Sequence, residues 1–323
     1  MGLSVKPLRI AVVGAGHMGR SHAQKVAALS RRDARIALAG VVDVELERAR
    51  KLGAELGAAA TADAGEAFRG ADAAIVAVPT RAHFDLVRAA LDQGLDVLVE
   101  KPMAATLAEA EAILELAIRR GRVLQVGHLE WFNSALSEMR GKIAEPRFIE
   151  AHRMGPFPER GTDVDVVCDL MIHDLDILQQ ILGEEPDRIE SVGVSVLTDK
   201  ADIANAWIAF PSGCIANLTA SRVSPTAVRK ICFFQRDGYV SIDFLAHAAA
   251  IFHRLPPVAG RPPHLATEQL VFDPGDALLA QLEDFVSAVR TRKQPAVSGR
   301  EGLRALRTAL RVVEAMPRFG DPD

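Results

Sequence analysis

The sequence predicts an α/β chain of two domains, an N-terminal doubly wound parallel sheet followed by an α+β domain with an antiparallel sheet. Three observations predict it. Strand and helix patterns alternate through the first third, a glycine-rich turn joins the first strand to the first helix, and beyond about Gly127 the periodicity changes to alternating runs. The boundary falls between residues 1–127 and 128–323, with the terminal helices free to pack back on the first domain.

Ile10-Ala11-Val12-Val13 is a continuous apolar run ending at glycine, the pattern of a parallel strand buried on both faces. A helix over about Met18 to Leu29 follows, then a strand over Ile36 to Val42 ending at Asp43 and a helix over Leu46 to Leu56. Ala73 to Val78 gives the third strand and His83 to Gln93 the third helix. Val97 to Val99 and Val123 to Val126 add two strands around an Ala-rich helix, Leu107 to Arg119. Such alternation implies right-handed βαβ crossovers. Further on, one long helix spans Val166 to Leu182, and the runs Ala204 to Phe210 and Gly213 to Ser221 read as antiparallel strands. Asp237-Gly238 between Ile231 to Gln235 and Tyr239 to Phe244 is a hairpin signal. A Pro-rich loop, Leu255 to Pro263, precedes helices over Ala277 to Arg290 and Arg300 to Met316.

Composition narrows the function classes. The 323 residues are 49% hydrophobic and 25% charged with a formal charge of -4, a balance that suits a globular chain and leaves no basic footprint for nucleic acid. Small molecules are the expected partners. Three cysteines, Cys168, Cys214 and Cys232, form no close pair, so neither a disulfide framework nor a zinc ribbon is expected. The absence of a signal segment and of a ~20-residue apolar span points to a cytoplasmic chain with no membrane partner.

Gly14-Ala15-Gly16-His17-Met18-Gly19, placed between strand and helix, is a dinucleotide fingerprint of the Rossmann type. Gly14 permits the tight turn, Gly16 lets a pyrophosphate approach the backbone, and Gly19 allows close helix packing, while the helix N-terminus faces the phosphates. Asp43, at the end of the second strand, is placed to accept the adenosine ribose diol. NAD is then preferred over NADP, because a carboxylate repels a 2'-phosphate and Val44 and Glu45 offer no arginine. Glu100-Lys101-Pro102 follows a strand directly, which aims Lys101 at the ligand edge of the sheet, and Glu100 anchors the segment or contacts the nicotinamide side of the cofactor.

Asp169, His173 and Asp176 stand at i, i+4 and i+7 in an otherwise apolar helix, one polar stripe that suits the wall of a site. Their N and O donors also admit a metal reading, which lacks a second ligand cluster, so no metal is expected. His173, with an unperturbed pKa of ~6.5, is the natural base, and Lys101 the charged donor to a developing alkoxide. Asp169 orients the imidazole or grips a neighbouring hydroxyl. Because Lys101 closes the first domain and His173 sits in the second, the expected active site is the cleft between them.

Together these residues resemble the glucose-fructose oxidoreductase and inositol dehydrogenase (Gfo/Idh/MocA) family of sugar dehydrogenases. The motifs that carry the resemblance are the glycine turn, Asp43, Pro79-Thr80 with His83, Glu100-Lys101-Pro102, Asp169 to Asp176, and Pro295 to Gly299. The resemblance implies a Rossmann domain followed by a large open, mostly antiparallel sheet whose outer face forms homodimer or homotetramer contacts. It implies Lys101, Asp169 and His173 as catalytic residues, and Pro79, Thr80 and His83 on the cofactor side. The runs Arg160 to Val167, Gly127 to Glu130, Leu197 to Lys200 and Thr219 to Ser224 are similar to a narrower group that oxidises C3 of UDP-N-acetylglucosamine on the way to a lipid A with a 2,3-diamino sugar. Arg153 and Arg222 are then candidates to bind the diphosphate. The chain departs from that group at Trp131 and Ser134, where Arg and Pro are common; Trp131 reads as a core aromatic. Two other readings stay open: a dehydrogenase of inositol or a free sugar, and a dinucleotide-binding sensor without turnover.

Overall fold

The computed structural model describes residues 6–157, 164–255 and 264–317. Half of the Arg160 to Val167 run and most of the Leu255 to Pro263 loop lie outside them. The chain forms two units, one of residues 1–128 with 278–303, the other of residues 129–277 with 304–323.

In the first unit β1 (Leu8–Val13), α1 (His17–Arg32), β2 (Ile36–Val42), α2 (Leu46–Leu56), β3 (Ala59–Thr61), α3 (Ala64–Arg69) and β4 (Ala73–Val76) are followed by α4 (His83–Asp92), β5 (Asp96–Val99), α5 (Leu107–Arg120) and β6 (Leu124–Val126). The six strands are parallel in the order β3-β2-β1-β4-β5-β6, so the chain reverses direction across the sheet between β1 and β4. Every residue of β4 and β5 is buried, which is why these strands carry apolar residues without alternation. A capping box fixes the start of α5: the Thr106 hydroxyl accepts from Glu109 N while Glu109 reaches back to the Thr106 amide. β3 and α3 extend the sequence reading. Ala59-Ala60-Thr61 pairs only at the sheet edge and buries little, so it has no apolar run to announce it.

The second unit carries α6 (Ser134–Met139), β7 (Phe148–Met154), α7 (Ile172–Leu182), β8 (Arg188–Val194), β9 (Ile203–Ala209), β10 (Ile215–Ser221), β11 (Val228–Gln235), β12 (Gly238–Asp243), β13 (Ala248–Arg254) and β14 (Leu265–Val271). Its eight-stranded sheet has the order β14-β13-β12-β11-β7-β10-β9-β8; every neighbouring pair is antiparallel except β7 and β10. One face is apolar. Ile149 and Ala151, Ala204, Ala206 and Ile208, Ala216 and Leu218, Ile231 and Phe233, and Val240 and Ile242 pack with Ile172, Leu175 and Leu178 of α7 into one core. The other face carries Phe148, Phe234, Tyr239 and Phe252 as an aromatic ladder with ring centroids 5.6, 5.0 and 4.0 Å apart.

The last two helices are α8 (Ala277–Thr291) and α9 (Gly299–Glu314). α8 belongs to the first unit, where Leu282, Phe285 and Val289 join Ile10, Val12 and Ile75 in its core. The long helix expected from Val166 to Leu182 is interrupted: Val167–Met171 forms a π turn before α7 begins, with the Ile172 amide donating to Val167 O. The i, i+4 spacing of Asp169 and His173 is therefore not the α-helical one that the sequence suggested.

Candidate active site

Gly14 stands at φ +98°, and a Cβ there would meet Ala77 O at 2.2 Å. A Cβ on Gly19 would lie 1.8 Å from Gly14 O, so the turn and the start of α1 close on each other only as glycines. Gly16 differs. It is exposed, with nothing near its missing Cβ, so its backbone is open to a ligand. Asp43 ties this turn to β2: its Oδ2 accepts from Ala15 N at 2.8 Å and its Oδ1 from Glu45 N at 2.9 Å, with the residue 7% exposed.

Beside these groups, at the carboxyl ends of β1, β2 and β4, lies a cavity of 460 Å³ lined by Gly14, Gly16, Asp43, Arg48, Pro79 and Arg81 among others. It sits where the strand order reverses, the place at which open α/β sheets bind nucleotides. The bare Gly16 backbone, the α1 N-terminus and the Asp43 carboxylate suit the pyrophosphate and adenosine ribose of NAD. His17 and Met18 form the first turn of α1, and half-buried Thr80 follows Pro79. Arg48, one turn into α2, is an addition that the residues next to Asp43 did not announce.

The segment after β5 is held from both sides. Glu100, 8% exposed, takes the fully buried His22 Nε2 on its Oε1 at 2.7 Å. The Lys101–Pro102 peptide is cis, and Pro102 O lies 2.9 Å from His83 Nδ1. His83 Nε2 lies 2.9 Å from Val78 O. Both His83 nitrogens thus face the backbone of this unit and the residue is 1% exposed, so His83 braces the Lys101 turn against the Val78 turn. Burial lowers its pKa. Lys101 emerges half-buried from this clamp. Burial, and after it the Lys101 charge, push the His128 imidazole down to about 3, so His128 is neutral beside the lysine throughout the working pH range.

In the second unit Asp169 and His173 are half-buried, whereas Asp176 is 1% exposed and its carboxylate accepts from the Gln180 amide at 3.0 Å. Two of the three members of the expected stripe therefore keep access. The neighbour of His173, Asp174, proves more informative than Asp176. It accepts from Arg153 Nε and Nη2 at 3.0 and 2.8 Å, and Arg153 Nη1 donates to Glu130 at 2.6 Å. Arg153 points into the core from β7, 2% exposed and under the Phe244 ring. Arg222, 1% exposed, donates to Asp202, Thr198 Oγ1 and Val164 O. Both arginines are paired with buried carboxylates, a structural role in place of the diphosphate contact expected of them. The signal for Arg153 was present in the sequence, since an arginine in register with Ile149 and Ala151 must find a buried acid. Trp131 packs partly buried on the second core, with Arg140 5.0 Å over its ring. Among the described residues no group of three His, Cys, Asp or Glu side chains is placed to hold a metal ion, and no helix is long and apolar enough to cross a membrane.

Comparison with known proteins agrees with the fold of both units. Residues 8–128 match an oxidoreductase family with an NAD-binding Rossmann fold, and residues 139–240 match the GFO/IDH/MocA C-terminal domain. The chain is 38% identical over 313 residues to UDP-N-acetylglucosamine 3-dehydrogenase of Acidithiobacillus ferrooxidans, covering 97% of this chain and 98% of that one. A solved structure of that enzyme superposes with a TM-score of 0.89 at 39% identity, over 95% and 97% of the two chains. The scyllo-inositol dehydrogenase of Lactobacillus casei with bound NAD(H) and scyllo-inositol shares the fold at a TM-score of 0.79 and 18% identity, over 96% and 97%.

Two outcomes test this geometry. Arg153→Met leaves buried Asp174 without its hydrogen-bonded cation and Glu130 with only the half-exposed Arg229, so denaturant titration is expected to show a loss of ~3–5 kcal/mol, the cost of stranding a buried charge; a loss below ~1 kcal/mol contradicts a structural Arg153. His128 titrates near 6.5 when unfolded and at about 3 when folded, so the unfolded chain takes the proton first and stability falls as pH drops below ~6.5. Between pH 6.5 and 4.5 that amounts to ~2–3 kcal/mol. His128→Gln should flatten this part of the profile, and a profile parallel to that of the wild type would remove His128 as its cause.

Proposed function

Because this chain belongs to the GFO/IDH/MocA family of NAD-binding oxidoreductases, we propose that it oxidises C3 of UDP-N-acetylglucosamine to the ketone, with NAD as hydride acceptor. The observation that carries the reading is the similarity to UDP-N-acetylglucosamine 3-dehydrogenase along nearly the whole of both chains. The myo-inositol dehydrogenase of Streptomyces leeuwenhoekii, by contrast, is 32% identical over 68% of this chain.

NAD supplies the hydride acceptor; the chain's own residues handle the proton and the oxygen. His173 accepts the proton of the sugar hydroxyl through an imidazole nitrogen, while Lys101 Nζ stabilises the oxygen as negative charge develops on it. Asp169 orients the imidazole or holds a neighbouring hydroxyl. Glu100 and His83 fix the turn that aims Lys101, and Arg153 with Asp174 fixes the helix that carries His173. The reading requires Lys101 and His173 to reach one substrate carbon, since hydride and proton leave the same C–O–H unit.

The proposal extends to assembly and setting. The aromatic ladder across the outer face of the eight-stranded sheet, with Phe148 36% exposed at its end, supports a homodimer or homotetramer formed through that face. A cytoplasmic step toward a lipid A bearing a 2,3-diamino sugar is the matching context.

Reduced nicotinamide should form with UDP-N-acetylglucosamine and NAD and remain near background with myo-inositol, scyllo-inositol or free N-acetylglucosamine. His173→Ala and Lys101→Ala should each lower kcat by ~10²–10⁴. Measuring NADH binding in the same variants separates lost chemistry from lost folding. Turnover of inositol but not of the nucleotide sugar would replace the substrate, and undiminished kcat in either variant would remove that residue from the mechanism.

A further inference from the structure

The Lys101 turn sets a problem of charge. Lys101 serves a developing oxyanion as a cation, yet the nicotinamide ring of NAD+ is itself cationic and becomes neutral only when its C4 has taken the hydride with its electron pair. A dinucleotide lies across the point where the strand order reverses. Its adenosine half goes to the β2 side, by Asp43, and its nicotinamide half to the β4 and β5 side. Lys101 stands just past the end of β5, at that same carboxyl edge. Its charge therefore opposes the oxidised cofactor and leaves the reduced one almost untouched.

Glu100 answers that charge. Its Oε1 lies 2.7 Å from Nε2 of fully buried His22, and its own side chain keeps 11% exposure. Gly127 leaves room for it, since a Cβ there would stand 2.9 Å from Glu100 Oε2. His22 Nδ1 is buried and finds no partner among the described residues, so a proton on it would be stranded. The imidazole is therefore neutral, with its proton on Nε2 and donated to the carboxylate, and the pair carries one net negative charge. The two other buried imidazoles that sense this segment add nothing near neutrality, because burial holds His83 below the usual histidine range and His128 down at about 3. We propose that Glu100, given its donor by His22, is the counter-charge to Lys101 at the nicotinamide end and sets the relative affinity for NAD+ and NADH, an inference that rests on NAD as the cofactor and on no choice of sugar. The carboxylate favours the cationic ring over the neutral one, so NAD+ is taken up in exchange for NADH after each turnover.

Affinities measured without any sugar, NADH by its fluorescence and NAD+ by displacement of NADH, give this ratio directly. Glu100→Gln keeps the size of the side chain and removes its charge. In that variant the ratio of NAD+ to NADH affinity should fall by about tenfold or more, and the midpoint potential of the bound couple should rise by ~30 mV per tenfold. Lys101→Met removes the opposing charge and should raise the ratio. The opposite signs at adjacent residues matter, because a loosened turn would weaken both cofactors together and leave the ratio alone. If circular dichroism shows that Glu100→Gln does not fold, His22→Leu decides in its place: a buried carboxylate stripped of its donor takes up a proton, so the ratio should again fall. A ratio unchanged or raised in the folded Glu100→Gln or its replacement, or one that Lys101→Met fails to raise, overturns the proposal. A wild-type chain that binds neither NAD+ nor NADH would instead contradict the NAD assignment beneath it.

Discussion

A carboxylate taken out of water must find donors inside the protein, and four that do so hold the functional segments of this chain. Asp43 gathers the amides of Ala15 and Glu45 and so fixes the glycine turn to the end of β2. Glu100 pairs with buried His22 immediately before Lys101. Asp174 pairs with Arg153 immediately after His173. Asp202 collects Val196, Leu197 and Thr198 amides together with Arg222, whose Nη1 donates to Val164 O at the approach to the π turn. Glu100 and Asp174 stand next to Lys101 and His173 in the chain, whereas Asp43 and Asp202 reach across the fold to segments distant in sequence. Breaking such a pair strands a charge and costs several kcal/mol, so the geometry of these turns is fixed far more firmly than exposed loops would be.

The same economy separates sealed polar groups from accessible ones in each unit. The groups left accessible, Lys101, Asp169 and His173, are half-buried, while their neighbours are sealed: His83 between two carbonyls, Asp176 on Gln180, Arg153 between two acids. A rigid surround with a few exposed polar groups is what general acid-base chemistry requires, because a base displaced by an ångström loses its proton path. Neutral His128 adds no second positive charge beside Lys101.

Much of the first unit was legible in its sequence because strands buried on both faces must be apolar runs, and β1, β2, β4 and β5 are. β3 escaped notice because Ala-Ala-Thr at a sheet edge buries almost nothing. In the second unit β8, Arg-Ile-Glu-Ser-Val-Gly-Val, and β14, Leu-Ala-Thr-Glu-Gln-Leu-Val, are the two edges of the sheet, where one face is solvated and charges dilute the alternation. The π turn left no mark, since its residues are those of an ordinary apolar helix. Among the expected site residues, Gly14, Gly16 and Asp43 stood out because a glycine-rich turn between a strand and a helix, with an acid at the end of the next strand, is a recognisable pattern in the sequence itself. The pairing of Arg153 and Arg222 was not legible because the acids that claim them lie 21 and 20 residues away and meet them only through the fold. Arg48 was overlooked for a related reason: the turn of α2 carries it back to Asp43, five residues earlier in the chain.

The central claim is that a sugar ring carbon gives its hydride to NAD under the control of Lys101 and His173. Isotope transfer from UDP-N-acetylglucosamine deuterated at C3 measures it most directly. The account predicts that the deuterium appears at C4 of the reduced nicotinamide, one label per turnover, with a 3-ketone on the sugar. Unlabelled NADH formed from that substrate, or deuterium retained at C3 in the product, would contradict it.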